Sequence, residues 1–369
     1  MEPFKFYYTR VYSLISELSL SNCRTIKTFD KKFSEGITVI SGKNGSGKTT
    51  ILESIFLLAA GYSFKTRDLT SLLSWKESSC IFRSVFTAKD YSSTRALQIT
   101  PDKITIKKDN ESVRSVARFF GDFPIIIMQP SDIELVKGSP EMRRRYLDEI
   151  LCFSGPFNAD LLRRYKRILL QRNEWLHNYK LGQKESEAVF TVLSEQLAQL
   201  ASQIWQERFA LFEKLAFAIP KYYSILSGGN DFIFCKYKSS VSFKTEDFNS
   251  EFLFFLEQRK EYERRLGVTL AGPHKDDFIL SIKDHELKAI GSQGQCRSAA
   301  IAMRLSALNS AKETKNSPIL LLDDILAELD SERQKAVSSV IKEKEAQVFI
   351  ATPHLRDIPF TPDDCIHLE

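Results

Sequence analysis

One short segment, residues 42–49, constrains this chain more than any other feature. It reads Gly-Lys-Asn-Gly-Ser-Gly-Lys-Thr and matches the pattern G-x-x-x-x-G-K-[ST] at every position. The apolar run at residues 37–40 predicts a buried strand before it, and residues 49–60 predict a buried helix after it. A strand, a glycine-rich loop and a helix in that order are the context that a phosphate-binding loop requires. The sequence therefore predicts an α/β fold that binds a nucleotide.

The residue types in this loop suit ATP and Mg²⁺. Glycines let backbone N–H groups turn inward around phosphates, and the following helix N-terminus adds about half a positive charge. Lys48 would reach the β- and γ-phosphates, and the hydroxyl of Thr49 would hold Mg²⁺. A chance glycine turn is the alternative, which the flanking strand and helix disfavour. The predicted nucleotide ligands are Gly42, Lys43, Asn44, Gly45, Ser46, Gly47, Lys48, Thr49 and Thr50.

Two adjacent acids, Asp323 and Asp324, complete the predicted site. They follow the apolar run at residues 319–322, which indicates a buried strand, and ligands bind at the carboxyl ends of such strands. Asp323 would hold Mg²⁺, through water. Asp324 is placed to polarise the attacking water or accept its proton. A strand that simply ends in a polar turn is the alternative.

A second helix start, Ser292-Gln293-Gly294-Gln295, has the composition of an anion site. Since the first loop already cradles the phosphates, a second such turn suggests two subunits that close on shared nucleotides. Ser292, with Gly294 and Gln295, would then contact the γ-phosphate held by the partner chain. An ordinary serine N-cap is the alternative reading.

Periodicity changes along the chain. Short β-type runs between residues 81 and 107 predict a small antiparallel flank, whereas residues 141–265 show mostly helical spacing of apolar residues. Near the C-terminus, residues 278–282 and 286–289 predict a hairpin, and residues 347–351 predict a final strand.

These patterns predict one α/β head that is interrupted by a helical arm. The head would comprise residues 14–134 and 268–369, and the arm residues 135–267. Residues 1–13 would form an N-terminal extension.

Composition narrows the classes of protein further. The chain has 369 residues, 43% of them apolar and 27% charged, with a net charge of +5 that permits a nucleic-acid partner. Its six cysteines are scattered, which argues against zinc and disulfides and favours a reducing cytoplasm. The sequence has neither a run of about 20 apolar residues nor the apolar block of a signal peptide. We therefore expect a cytoplasmic protein without a membrane partner.

The phosphate-binding loop is followed by the S-x-G-Q turn at residues 292–295 and then by the acid pair. This order is typical of the ATPase head of the ABC and SMC class. Within that class, the chain resembles the RecF family of bacterial recombination mediators from about residue 14 to residue 351. The segments that carry this resemblance are residues 135–140, 143–148, 171–173, 272–277, 292–295 and 321–330.

The resemblance implies a mixed sheet with an antiparallel flank and a short helical arm. It also implies an ATP-dependent homodimer with slow, DNA-stimulated ATP hydrolysis. The family's role would be recombinational repair and replication restart. There it would bind gapped DNA and junctions of single and double strands, and cooperate with RecR and RecO in loading RecA.

The resemblance also implies roles for single residues, each of which has an alternative explanation. Gln129 would sense the γ-phosphate and the metal, unless it is an ordinary amide. Asp330 would line the dimer interface or cap a helix. Lys65 would face nucleotide or DNA, or be a solvated lysine. His354 follows Pro353 and lies one residue later than the histidine of many ABC ATPases, so we assign it no catalytic role. With a weak acid at Asp324, we expect slow turnover.

DNA contact requires clustered positive charge. Arg143, Arg144 and Arg145 form the densest cluster, although nearby acids offer them ion-pair partners. Helical spacing places Arg163, Lys166 and Arg167 near one face, although charged faces are commonly just solvated. No aromatic-interleaved platform for single strands stands out. His274 would be part of a structural turn before the hairpin or part of the site, and we favour the structural turn.

Three other functions compete with a DNA-dependent ATPase. A transporter ATPase subunit is disfavoured by the long interval between Gly42 and Ser292 and by an insertion without membrane features. A P-loop kinase would leave the Ser292 turn without a purpose. In a non-hydrolysing scaffold, ATP would only fix the dimer.

Overall fold

A computed structural model describes residues 14–88, 91–114, 119, 123–153, 155–229, 231–311, 317–342, 346–355 and 358–368. The predicted N-terminal extension, residues 1–13, lies outside these ranges. The chain divides into two compact units. The first comprises Met1–Asp132, Ile225–Gly228 and Met303–Glu369, and the second Ile133–Ser224 and Gly229–Ala302.

The first unit is rich in strands, and most of the helices belong to the second unit. The strands are β1 (Leu14–Cys23), β2 (Ile26–Lys32), β3 (Ile37–Gly42), β4 (Cys80–Ala88), β5 (Tyr91–Ile99), β6 (Ile104–Lys108), β7 (Glu111–Ser112), β8 (Ile125–Met128), β9 (Ile233–Lys238), β10 (Asp277–Ile282), β11 (His285–Glu286), β12 (Ile319–Asp323), β13 (Gln347–Thr352) and β14 (Asp364–Leu368). The helices are α1 (Lys48–Ala60), α2 (Glu134–Lys137), α3 (Pro140–Phe153), α4 (Pro156–Lys180), α5 (Glu187–Leu226), α6 (Phe248–Leu266), α7 (Leu287–Ile290), α8 (Gln293–Ala311) and α9 (Ser331–Lys342).

The first unit contains a parallel sheet in the order β14-β3-β13-β12-β8. Every residue of β8, β12 and β13 is buried. Their near-continuous apolar sequences are typical of strands that are covered on both faces. Because all pairs are parallel, the carboxyl ends of β3, β12 and β8 lie at one edge of the sheet, where ligands of such sheets bind.

An antiparallel sheet in the order β2-β1-β4-β5-β6-β7 supplies the predicted flank. Helix α1 packs with residues of both sheets in one apolar core. Twelve of its thirteen residues are buried, and Thr49 is the exception. A helix that is apolar around its whole circumference is the kind that lies inside a domain. The core thus holds the start of α1 in place beside β3.

Two predictions of strands were wrong. The second hairpin strand ends at Glu286, and residues 287–290 form the short helix α7, in which the N–H of Gly291 donates to the carbonyl of Leu287 at 2.8 Å. Residues 347–351 are not the last strand, because β14 follows and pairs with β3. The alternating, partly exposed sequence of β14 lacks the apolar run that marked its neighbours.

The second unit contains three long helical segments and a small sheet. Helices α4, α5 and α6 share an apolar core around Trp205 and Phe252, and the sheet has the order β11-β10-β9. This unit includes residues 268–302, which we allotted to the head, so the domain boundaries stay a prediction. Among the described residues, no helix is long and apolar enough to cross a membrane.

Candidate nucleotide site

The phosphate-binding loop connects β3 to α1, as the motif predicts. At two positions of the loop, steric constraints require glycine, because a side chain would be too close to neighbouring atoms. At Gly47, with φ +103°, a Cβ atom would lie 2.8 Å from the side chain of Ile26. At Gly42, a Cβ atom would lie 2.4 Å from the carbonyl oxygen of Leu368 in β14. The loop is therefore held between the β1–β2 turn and the C-terminal strand.

Lys48 begins α1 and is 4% exposed. Its Nζ atom donates to the carbonyl oxygens of Gly42 at 2.8 Å and Lys43 at 3.0 Å. The ammonium group is therefore enclosed by the loop whose N–H groups would cradle phosphates.

The structure joins the two predicted Mg²⁺ ligands across 274 residues of sequence. The hydroxyl of Thr49 donates to Oδ1 of Asp323 at 2.8 Å. A hydroxyl and a carboxylate at one point supply the hard oxygen ligands that Mg²⁺ prefers. The parallel sheet produces this contact because β12, β13 and β3 are successive neighbours in it.

Burial and the like charge of a neighbouring carboxylate shift the pKa values of the two acids. For Asp323, burial has the largest effect and raises the pKa. The hydrogen bond from Thr49 lowers this pKa, and the negative charge of Asp324 raises it. Burial also raises the pKa of Asp324, while the positive charges of Lys48 and Lys65 lower it. Lys65 is thus near enough to the acids to act on both, so it belongs to the electrostatics of this site.

The backbone of Asp324 is unusual. Its φ is +53°, and its N–H donates to the carbonyl of Ala351 at 3.1 Å. A left-handed residue directly after a strand turns its side chain away from the strand direction, and such outliers are enriched at functional sites.

Two buried atoms in this region lack partners within the described part of the chain. They are Oδ1 of Asp324 and Oγ of Ser46. Buried polar atoms are normally hydrogen-bonded, so unsatisfied ones at a binding site indicate a ligand. Together with the Thr49–Asp323 contact, they show that the residues present fit ATP with Mg²⁺.

Gln129 follows β8 at the same edge of the sheet. Met128 pairs with Leu322, so Gln129 and Asp323 follow paired residues of adjacent parallel strands. The N–H of Gln129 donates to Asp132 at 2.9 Å, and buried Asp132 also pairs with Arg304 at 2.7 Å. This supporting ion pair was not predicted from the sequence, and it fixes the backbone at Gln129.

A second supporting cluster, also not predicted, surrounds Glu53 in α1. This fully buried carboxylate pairs with Arg24 at 2.6 Å and accepts a hydrogen bond from Ser63. Ser63 in turn accepts from the N–H groups of Lys65 and Thr66, both at 3.0 Å. One carboxylate therefore anchors the segment that carries Lys65 to the helix that follows the phosphate loop.

The Ser292 turn lies in the second unit. Its Oγ accepts from the N–H of Gln295 at 3.2 Å, and the Ser292 N–H donates to Oε1 of Gln295 at 2.9 Å. This reciprocal pair is a capping box, so the serine N-cap of the alternative reading is present. Gln295 also donates to Asp231 at 2.8 Å, while Ser292 and Gln293 remain exposed.

Asp330 and His354 both make local hydrogen bonds. Asp330 precedes α9 and accepts from the N–H of Arg333 at 2.9 Å, as a helix N-cap does. His354 is exposed, and its carbonyl accepts from the hydroxyl of Thr352 at 3.2 Å.

The predicted DNA contact of Arg143 is contradicted by its surroundings. This residue is 6% exposed, and its guanidinium donates to both oxygens of Asp277 at 2.7 and 2.9 Å. Arg144 donates to the carbonyl of Asp276 at 2.8 Å, and Arg145 pairs with Glu149 at 3.2 Å. Arg143 therefore holds α3 to β10. A guanidinium that is buried and paired in this way cannot reach DNA phosphates.

The other predicted group remains available. Arg163, Lys166 and Arg167 are all exposed on α4, and we call them the α4 basic face. Of these, Arg163 also lies 3.4 Å from Asp160, one turn away. The buried face of the same helix carries Tyr165 and Ile168, which fixes the helix rotation that exposes the basic residues.

His274 makes its contacts within the second unit, so a structural turn stays our interpretation of this residue. Its Nδ1 lies 2.6 Å from the hydroxyl of Tyr165, and burial lowers the pKa of His274 to about 4. The imidazole therefore stays neutral at physiological pH.

This shift predicts an acid-sensitive fold. Between pH 6.5 and 4 the unfolded chain binds a proton at His274 that the folded chain excludes, so stability falls as pH decreases through this window. We expect a loss of roughly 2 kcal/mol between pH 7.5 and 5, measured by urea unfolding. His274→Gln should flatten this dependence, whereas replacing exposed His285 by Gln should not. Equal pH slopes for the two variants would contradict the assignment.

With this geometry established, comparison with known proteins gives consistent matches. The sequence profile described as RecF/RecN/SMC N terminal domain matches residues 14–358. The DNA replication and repair protein RecF of Halalkalibacterium halodurans is 31% identical over 93% of this chain and 94% of its own length. The protein of the same name from Clostridium botulinum is 33% identical over 95% of this chain and 96% of its own length.

Solved structures agree with the sequence relatives. The recombination mediator protein RecF-ATP of the RecFOR pathway is 28% identical, has a TM-score of 0.87, and is matched over 97% of this chain and 98% of its own. The Smc head domain from Pyrococcus furiosus shares the fold, with a TM-score of 0.56 at 17% identity over 93% of this chain and 90% of that one.

Fold and site together define a P-loop ATPase head of the ABC/SMC type, which confirms the predicted fold class. The chain belongs to the RecF/RecN/SMC family and, within it, to the RecF proteins of DNA replication and repair.

Proposed function

We propose that this chain is an ATP-gated DNA-binding protein, in which Mg-ATP joins two copies that bind DNA together. The observation that carries the proposal is the 2.8 Å contact between Thr49 and Asp323, beside the unsatisfied atoms of Asp324 and Ser46. The relatives named for RecF, one of them described with ATP, support ATP as the nucleotide.

The residues of the proposed nucleotide site have complementary roles. The loop from Gly42 to Thr50 binds the phosphates, and Lys48 compensates their charge. Thr49 and Asp323 would hold Mg²⁺, which would neutralise charge on the phosphates. Asp324 takes the proton of the attacking water at its carboxylate, and Gln129 orients that water.

The proposed dimer completes this site from a second chain. Ser292 and Gly294 at the start of α8 are suited to bind the γ-phosphate held by the partner. Their turn is exposed at Ser292 and Gln293, and the N–H groups in the first turn of a helix point outward from its N-terminus. Two identical sites would form under a two-fold axis, each with a loop from one chain and a Ser292 turn from the other. ATP would then act as the joint between two heads.

Analytical sedimentation tests this proposal. The full chain is measured with ATP, ADP or no nucleotide, with and without gapped DNA. We expect an ATP-specific dimer whose boundary shifts further with gapped DNA, and slow hydrolysis that DNA stimulates. A chain that stays monomeric with ATP and ignores DNA would overturn the proposal.

For DNA, we propose that the α4 basic face meets duplex phosphates. Its three residues are exposed on one helix, and their charges are not enclosed by the fold. In the pathway, the proposed partners are RecR, with RecO and RecA. The name of the RecFOR pathway in the structural relatives supports this context.

Charge removal on α4 gives a quantitative prediction. Replacing all three residues of the α4 basic face by Ala should weaken duplex binding and make the log-affinity versus log-salt slope shallower by about 0.9 for each phosphate that the variant no longer neutralises. Fluorescence anisotropy across a salt series measures both quantities. A control replaces three exposed lysines of the same unit, Lys184, Lys221 and Lys244, and should retain the slope. An identical decrease of slope in both variants would point to net charge instead of a defined contact.

A further inference from the structure

An exposed aromatic and basic surface lies on the edge strand β9. Phe234, Lys236 and Lys238 alternate along this strand, and all three are exposed. Phe232, directly before the strand, is 66% exposed, and Phe234 is 63% exposed. We call these four residues the Phe-Lys face.

The opposite side of β9 explains why this face points to solvent. Ile233 is 1% exposed, and Tyr237 packs against Phe209 and Phe212 while its hydroxyl donates to Asp276 at 2.8 Å. Because successive strand residues point to opposite faces, these contacts fix the register that exposes Phe234 and both lysines.

The local charge of the face is positive. Lys238 is opposite Asp277 in β10, but both oxygens of Asp277 accept hydrogen bonds from Arg143. Lys236 is opposite the apolar Ile279, and Phe234 is opposite Ser281. Within the described residues, Lys236 and Lys238 form no ion pair. Their two ammonium groups therefore face solvent beside two exposed aromatic rings.

We propose that the Phe-Lys face binds single-stranded DNA. This rests on the proposed DNA-binding function and assigns the single strand its own surface, separate from the α4 basic face. Exposed aromatic rings stack on unpaired bases, which a duplex keeps inside its own stack, and adjacent lysines bind the backbone. Side chains two residues apart on a strand are about 6.7 Å apart, so Phe232 and Phe234 can serve two different bases.

The Phe-Lys face has two alternative roles, which are protection of the sheet edge and binding of a protein partner. Each explains fewer of its features than single-stranded DNA does. Lysines on an edge strand discourage pairing with other strands, but that role does not require two exposed phenylalanines. A second copy of the chain could cover the rings, since Asp231 beside them binds Gln295 of the Ser292 turn. Lysine is depleted in the cores of protein interfaces, however, so rings flanked by two lysines favour an anionic partner.

The test uses the full-length chain and labelled strands. Fluorescence anisotropy compares a dT homopolymer, an abasic strand of equal length and a blunt duplex, without nucleotide and with ATP. The variants are a Phe232→Ala/Phe234→Ala double and a Lys236→Ala/Lys238→Ala double. Phe254→Ala is the matched control, because this residue of α6 is 68% exposed.

Expected results separate stacking from charge. The double variant Phe232→Ala/Phe234→Ala should bind dT about 10-fold more weakly than the unaltered chain. It should no longer prefer dT over the abasic strand, and it should keep its affinity for the duplex. The lysine double should make the salt slope for dT shallower by about 0.7 for each phosphate that is no longer neutralised. The Phe254→Ala control should match the unaltered chain.

Three outcomes would overturn the assignment. If both doubles bind dT like the unaltered chain while that chain binds DNA, this surface is not the single-strand site, although the proposed function stands. Loss of the ATP-dependent dimer with unchanged dT binding would make a second copy the occupant. If the unaltered chain binds neither strand nor duplex, the proposed DNA-binding function fails, and this inference fails with it.

Discussion

Asp324→Asn should lower DNA-stimulated ATP turnover by about 100-fold or more while leaving ATP affinity nearly unchanged, because a positioned general base contributes about 10² to 10⁴ in rate. Asn has the same shape as Asp and tolerates the left-handed backbone that φ +53° imposes. It cannot accept the proton of water in the way a carboxylate does. Burial raises the pKa of Asp324, which makes the carboxylate a stronger base than an exposed aspartate.

Single-turnover hydrolysis with saturating ATP and gapped DNA measures this effect directly. Asp68→Asn is the matched control in the same unit. Asp68 caps the turn at residues 69–72 by accepting from the N–H of Thr70 at 3.0 Å, and Asn caps equally well. Unchanged turnover in Asp324→Asn would place the proton acceptor elsewhere in the site.

Lys48→Ala should weaken ATP binding by about 100-fold and abolish the ATP-dependent dimer. Each hydrogen bond from a charged group contributes about 1.5–3 kcal/mol, and the buried ammonium would make several of them to phosphate oxygens. Lys48 also holds the loop through the carbonyls of Gly42 and Lys43, so its removal costs loop order as well.

Calorimetric titration with ATP measures the affinity, and sedimentation measures the dimer. Lys103→Ala is the matched control, since this exposed lysine carries the same charge in the same unit and lies outside the loop. Lys48→Arg keeps the charge with a different shape, and should retain more ATP binding than Lys48→Ala while losing turnover. Normal affinity in Lys48→Ala would contradict the proposed role of the loop.

Much of the nucleotide site could be predicted because its parts are contiguous in sequence. The loop and the apolar run before Asp323 each carry a local pattern, and parallel strands bring their carboxyl ends to one edge. The Thr49–Asp323 contact follows from those two patterns and one topological rule.

The ion pairs that stabilise the site could not be predicted in the same way. Glu53 pairs with Arg24, 29 residues earlier, and Asp132 pairs with Arg304, 172 residues later. Ion pairs at such separations leave no periodic pattern in a single sequence. Strand β2 was also missed, because its residues are mostly exposed and polar.

The arginines show how burial overrides residue type. Arg143 and Arg163 each follow an apolar residue and precede another arginine in a helical pattern, so sequence alone treats them alike. Asp277 across the fold takes Arg143 into the protein, whereas Arg163 stays on an exposed helix face. The Phe-Lys face was overlooked for the converse reason. Its alternation reads as an ordinary strand until the buried side of β9 is known.

The composite site of the proposed dimer is the central claim, and complementation between two inactive variants tests it most directly. Lys48→Ala destroys the loop half of a site, and Ser292→Glu destroys the opposing half by placing a negative charge against the γ-phosphate. Each variant alone should give no ATP-dependent dimer and no turnover. Mixed in equal amounts, they should form a heterodimer with one intact site and recover up to about half of the normal turnover. No recovery in the mixture, with each variant folded, would contradict a site shared between two chains.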